Sequence, residues 1–120
     1  MGDVYGGAST KETLVTANTI SVSIEQDRAV VTLSGEHEAY TADKLARHLS
    51  ALLTEGVGVS VDLRRTTFID STVIGVLIAA NRRSQEAKLD FVLLVGGETG
   101  WPVRRLLEVT GLGTHLDIVG

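Results

Sequence analysis

The chain has 120 residues, enough for one domain around one core, and its 43% hydrophobic and 22% charged content is that of a globular protein. A net charge of −4 argues against nonspecific binding to nucleic acid or to an anionic membrane. The absence of cysteine excludes disulfides, thiolate chemistry and thiolate metal sites, and fits a cytoplasmic protein.

Residues 1–16 are small, polar and glycine-containing, and read as a flexible tail with no secretion signal, ahead of a single domain over 17–120. Ile20, Val22 and Ile24 alternate with Ser21, Ser23 and Glu25, the period of a half-buried strand. "EQDR" turns the chain into "AVVTLSG", a second strand ending near Gly35, so the two form a hairpin. The period then changes. Ala42, Leu45, Leu49, Leu52 and Leu53 fall on one face of a helix with Thr41 as N-cap, Asp43 in its first turn and Gly56 as its stop. "VGVSVDL" predicts a third strand ending near Leu63, linked by "RRTTFID" to a second helix, "STVIGVLIAANRRSQEA", capped by Ser71 or Thr72. "LDFVLLV" has the unbroken apolar character of a central strand. "WPVRRLLEVTGL" is a third helix with Pro102 in its first turn and Gly111 at its end, and "THLDIV" a short last strand. The order ββαβαβαβ predicts an α/β domain. Its mixed, mostly parallel sheet has four to five strands with an N-terminal hairpin, and three to four helices. No apolar run approaches the roughly 18 residues of a membrane span.

Searches for chemistry are mostly negative. His37, His48 and His115 have no ligand spacing, which points to no metal site. "GGETGWP" has neither a P-loop Lys-Ser/Thr nor a G-x-G-x-x-G order, so no nucleotide cofactor is expected. Ser71 lacks the G-x-S-x-G elbow of a hydrolase, and no catalytic residue is assigned. The distinctive stretch is "FIDSTVIGVLIAA", Phe68–Ala80. Around the second helix, Val73, Val76, Leu77 and Ala80 form the face expected to pack on the sheet. Ile74, Gly75 and Ile78 fall outside it, in line with Ser71 and Arg82; either a neighbouring helix covers them or they form an exposed apolar patch suited to a partner. A phosphate on Ser71 would sit at a helix N-terminus, which tolerates it, beside Asp70, where it would repel a docked protein.

Three segments, "VVTLSGEHEAYTADKL", "VSVDLRRTTFIDSTVIGVLIAA" and "PVRRLLEVTGLGTHLDI", resemble the STAS domain family, and within it the bacterial anti-sigma factor antagonists. The resemblance spans about Thr19 to Val119. It implies a STAS-like fold and a regulatory binding module rather than an enzyme. Ser71, directly after the signature aspartate, would be the phosphorylation site, with Thr72 the alternative. The unphosphorylated protein would bind an anti-sigma factor with a histidine-kinase-like ATPase fold and free the sigma factor. Phosphorylation by that partner would release it, and a Ser/Thr phosphatase would reset it. The docking surface so implied comprises Glu36, His37, Glu38, Asp70, Ser71, Thr72, Val73, Ile74, Ile78 and Arg82. The resemblance also admits an unphosphorylated STAS adaptor or scaffold in a regulatory or transporter-associated complex. Two positions depart from the family pattern. Val73 stands where the family has glycine, and its branched side chain is expected to obstruct a kinase loop. Gly35-Glu36-His37-Glu38 stands for Gly-Glu-Leu-Asp.

Overall fold

The computed structural model describes residues 18–118, so the tail expected over 1–16 lies outside the described residues. The elements follow the expected order: β1 (Thr19–Glu25), β2 (Arg28–His37), α1 (Ala39–Thr54), β3 (Gly58–Ile69), α2 (Ser71–Ala87), β4 (Phe91–Val95), α3 (Trp101–Val109) and β5 (Leu116–Ile118). A 3-10 turn at Leu112–His115, not anticipated, leads into β5. The five strands lie in the order β1-β2-β3-β4-β5, with β1 antiparallel to β2 and every other pair parallel.

From β2 onward, spatial order follows chain order. Right-handed crossovers repeated in one direction put the connecting helices on one face of the sheet. The core is on that face. Ala29, Val31 and Leu33 of β2, Val59, Val61 and Leu63 of β3, and Phe91, Leu93 and Val95 of β4 alternate inward. Ala42, Leu45, Leu49 and Leu53 of α1 meet them, with Val73, Ile74, Leu77 and Ala80 of α2 and Val103 and Leu107 of α3. Each fully buried Leu, Ile or Val contributes about 1.5–3 kcal/mol. The opposite face of the sheet is polar at its centre. Arg64 grips Asp62 through Nε (3.0 Å) and Nη2 (2.7 Å), while Arg28 donates to Ser60 Oγ (3.2 Å) and Asp90 (2.8 Å).

Three boundaries differ from expectation for local reasons. β3 does not stop near Leu63 but runs to Ile69, and β2 runs past Gly35 to His37, pairing as Glu36↔Phe68 and His37↔Ile69. The polar "RRTT" is strand because Thr66 is fully buried and its hydroxyl donates to the Leu33 carbonyl at 3.0 Å. The register slips around Gly35, whose φ of 85° only glycine adopts cheaply. α1 begins earlier than expected. Glu38 is its N-cap and Thr41 sits at N3, so Asp43 lies beyond the first turn. Gly56 does terminate α1, just after the C-cap Glu55, with φ of 80°. α2 has the expected bounds, but its N-cap is Asp70 rather than Ser71 or Thr72.

A candidate phosphoacceptor corner

The long parallel pair of β2 and β3 outruns β4 and carries two chain segments to one corner of the sheet. β2 delivers Glu36, His37 and Glu38, and β3 delivers Phe68, Ile69 and the turn into α2. A backbone bond joins them: the N–H of Asp70 donates to the His37 carbonyl at 3.2 Å. Asp70 is extended (φ −103°, ψ −179°), and its Oδ1 accepts the Val73 N–H at 3.1 Å, satisfying one of the orphan donors at the start of α2. Ser71 and Thr72 therefore occupy the first two helical positions, both exposed. Because Asp70 does the capping, the Ser71 hydroxyl is not needed by the fold. Among the described residues it takes no hydrogen-bond partner. It stands where the free N–H groups and the helix dipole favour negative charge.

The residues named for the docking surface divide into two groups. Glu36, Glu38, Ser71, Thr72 and Arg82 are exposed, and Asp70 and Ile78 are half-buried. Those on β2, at the end of β3 and at the head of α2 are brought together at the corner. Ile78 and Arg82 continue along α2, Arg82 about 16 Å from Ser71 at the helical rise. His37, Val73 and Ile74 turn inward, with 1%, 0% and 5% of their surface exposed. Of the two outcomes left open for Ile74, the structure gives the covered one: the buried stripe of α2 runs through Val73, Ile74, Leu77, Ala80 and Ser84. Ile74 joins the core cluster on the side of α2 away from the groove with α1. The same packing corrects the expected obstruction at Val73. Its isopropyl group fills the core, and only its N–H faces the Ser71 turn.

His37 is the least expected member. Its Nε2 lies 2.9 Å from the Ser34 carbonyl, an atom that only accepts, so Nε2 carries the proton. Nδ1 lies 3.2 Å from the Thr41 hydroxyl. Burial holds the imidazole below the usual histidine range, with backbone carbonyl contacts opposing in part. On the polar sheet face, the hydrogen bonds from Arg64 hold the Asp62 carboxyl below the usual carboxylate range.

Sequence reasoning missed two features of this end of the sheet. Tyr40, Phe68 and Trp101 are exposed there (71%, 39% and 77%), although the chain has only five aromatic residues. Asn18 ties Tyr40 to β2, donating to the Tyr40 hydroxyl and accepting the Glu36 N–H at 3.2 Å. Trp101 opens α3, which is clamped onto β3. The Gly100 N–H donates to the Thr66 carbonyl (2.9 Å) and the Thr99 hydroxyl to the Leu63 carbonyl (2.9 Å). The scarcity of aromatics was the available signal, since a core filled by aliphatic side chains leaves aromatics for surfaces. The second missed feature is a groove of about 390 Å³ between α1 and α2, running from Thr72 past Gly75 and Val76 to Arg83. Arg83 closes its far end by donating to Ser50 Oγ (2.9 Å) and Thr54 Oγ1 (3.2 Å). Among the described residues no group of three or more His, Asp or Glu side chains is placed to hold a metal ion, and no helix is long and apolar enough to cross a membrane.

Comparison with known proteins identifies the family. Residues 20–120 match a family model described as "Mlab, STAS domain". The chain is 30% identical over 103 residues to an anti-sigma-B factor antagonist of Listeria monocytogenes, covering 82% of this chain and 88% of the relative. Its backbone is similar to that of the anti-sigma factor antagonist SpoIIAA in its unphosphorylated form (TM-score 0.73, 19% identity, 85% of this chain and 89% of the other). It is also similar to the Bacillus cell fate determinant SpoIIAA in the phosphorylated form (TM-score 0.72, 17% identity, 85% and 92%). The two-layer fold with its opening hairpin and one helical face, the matched span of 101 residues from 20 to 120, and the curated relative agree: the chain belongs to the STAS domain family.

Proposed function

We propose that this protein is an anti-sigma factor antagonist switched at Ser71. Unphosphorylated, it docks an anti-sigma factor on the corner formed by Glu36, Glu38, Asp70, Ser71 and Thr72, and thereby frees a sigma factor. The partner is a kinase of the histidine-kinase-like ATPase fold. It supplies ATP and Mg²⁺ and transfers the γ-phosphoryl group to Ser71 Oγ. A Ser/Thr phosphatase removes it. The chain itself is a binding module and substrate, without catalytic residues, and acts in the cytoplasm.

The observation that carries this reading is the division of labour between Asp70 and Ser71. Asp70 caps α2, and the Ser71 hydroxyl projects unused at the first helical position. A phosphate placed there meets helix N–H groups, so the fold survives modification. A partner docked there meets about two added negative charges beside Asp70, Glu36 and Glu38, and loses affinity through repulsion and desolvation. The exposed Tyr40, Phe68 and Trp101 suit the same surface, since aromatic side chains dominate the energetics of protein interfaces. The Listeria relative is named an anti-sigma-B factor antagonist, which supports the antagonist role.

The test is incubation with the cognate kinase and ATP, followed by mass spectrometry and binding assays. Phosphate on Ser71, absent from Ser71→Ala, and lost partner binding by Ser71→Asp are expected. Partner binding indifferent to both substitutions would instead identify a scaffold or adaptor subunit.

A further inference from the structure

We infer that His37 is a positioning residue. Its uncharged imidazole, buried between the end of β2 and the first turn of α1, fixes the carbonyl that holds Asp70, and through Asp70 the turn that presents Ser71. The biological consequence rests on the function proposed above, but the physical claim does not.

A continuous run of contacts leads from the ring to the phosphoacceptor. Nε2–H donates to the Ser34 carbonyl (2.9 Å) and Nδ1 meets the Thr41 hydroxyl (3.2 Å), so the ring is held from β2 and from α1. The His37 carbonyl then accepts the Asp70 N–H (3.2 Å), and Asp70 Oδ1 accepts the Val73 N–H (3.1 Å) across Ser71. This stretch of β2 follows the register slip at Gly35 and Glu36. Side-chain bonds at His37 thus reinforce an interrupted ladder.

Burial favours the uncharged ring in this arrangement. With Nδ1 unprotonated, Thr41 Oγ1 accepts the Glu38 N–H (3.2 Å) and turns its single proton to Nδ1 or to the Glu38 carbonyl (3.0 Å). A proton on Nδ1 makes that nitrogen a donor. The hydroxyl must then accept from two sides and commit its proton to Glu38. The new charge would sit in the core edge near the N-terminus of α1, where the helix dipole is positive. Titratable neighbours on the surrounding elements are Glu36 and Glu38 on the same strand end, Tyr40 and Lys44 on α1 and Asp70 across the register; β1 contributes only backbone at Thr19. None of these side chains bonds the ring. The burial that lowers its proton affinity is therefore uncompensated by a carboxylate. Acidification charges a buried ring whose bonds to Ser34 and Thr41 only partly offset the cost of desolvation, so the chain opens around His37 and the Ser71 corner loosens. The corner is firm at neutral pH and relaxed in acid.

The experiment uses the isolated ¹⁵N-labelled protein, so its failure is distinct from failure of the antagonist reading. His37 and the amides of Asp70 and Ser71 are followed by NMR from pH 8 to pH 5. Both amides are expected to shift with the midpoint of the His37 ring, below 6.5. His37→Gln presents an amide donor and a carbonyl acceptor at every pH. In it those shifts should vanish over this range, while the spectrum stays that of a folded protein. In His37→Leu, which fills the space without bonds, exchange of the Asp70 amide should rise by about tenfold through local opening. Amides that stay flat while His37 titrates in the wild-type protein overturn the inference, whether or not the variants fold. So do shifts that persist unchanged in His37→Gln.

Discussion

Asp70 and Val73 are joined by a carboxylate-to-amide bond of 3.1 Å that spans the two hydroxyl residues between them. The bond assigns the structural duty to the acid and leaves Ser71 free for chemistry. Removing the carboxylate in Asp70→Ala should cost about 1 kcal/mol, the usual worth of an N-cap. Asp70→Asn keeps a capping oxygen and should stay within about 0.5 kcal/mol of the parent. Urea denaturation followed by circular dichroism measures both. With stability matched, any change in partner binding by Asp70→Asn reports the charge alone.

Ser71→Asp should fold as well as the parent or slightly better. An acidic side chain in the first turn of a helix gains about 0.3–1 kcal/mol from the dipole. A thermal midpoint several degrees below that of the parent would show that the hydroxyl has a structural role and that the fold does not tolerate a phosphate there.

Val73→Gly restores the residue that the family pattern has at this position, and the structure says it should do harm. Val73 is fully buried against the sheet. Losing its side chain empties core volume and adds the entropic cost of a helical glycine, together about 2–4 kcal/mol. Phosphorylation of Ser71 should be no faster, because the valine side chain points away from the turn. A faster reaction at full stability would contradict that placement.

Two glycines should respond oppositely to alanine. A Cβ at Gly100 would press into the carbonyl oxygen of Thr67 and stand 3.0 Å from its carbonyl carbon, both of them backbone atoms that cannot swing aside. Gly100→Ala should therefore cost about 1–3 kcal/mol by overpacking α3 against β3. Gly75 lies within α2, and a Cβ there would meet nothing within 4 Å, so Gly75→Ala should gain about 0.5–1 kcal/mol of helix stability. Chemical denaturation of the pair gives both signs in one experiment.

Stability should fall in acid in two steps. The His37 ring binds its proton more weakly when folded than at its ordinary value of 6.5, because burial disfavours the charge. The unfolded chain therefore takes up that proton first, and stability is full above 6.5 and declines below it until the folded ring protonates. The Asp62 carboxyl is held below its ordinary value of 3.8, chiefly by the Arg64 hydrogen bonds. Its contribution is present above 3.8 and lost as pH falls through its folded value. Denaturation midpoints from neutral pH into strong acid should show the upper step disappear in His37→Gln and the lower one in Asp62→Asn.

Much of the architecture was legible in the residues. The alternation of Ile20, Val22 and Ile24, the helical spacing of Ala42, Leu45, Leu49 and Leu53, and the bounds of α2 all reflect a local period that one buried face imposes. Errors arose where a neighbour outweighed the local pattern. "RRTT" reads as a loop until Thr66 finds the Leu33 carbonyl on the adjacent strand. Thr41 is a good N-cap by residue type, but the chain turns helical at Ala39 once β2 has paired through to His37. Ile74 looks surplus on a helix with one buried face, and is buried as part of the one core cluster of the domain.

By itself, the sequence determined the ββαβαβαβ order, the mixed, mostly parallel sheet, and the acid and hydroxyls at the head of α2. Hydrophobic period and helix-end chemistry are properties of residues close in the chain. Only the tertiary structure decided what those groups do. Asp70 rather than Ser71 became the cap, Val73 and Ile74 turned into the core, and His37 became a buried strut. Each outcome depends on β2 and β3 meeting across a long separation in the chain, at pairs such as His37↔Ile69, and no local period encodes such a pairing.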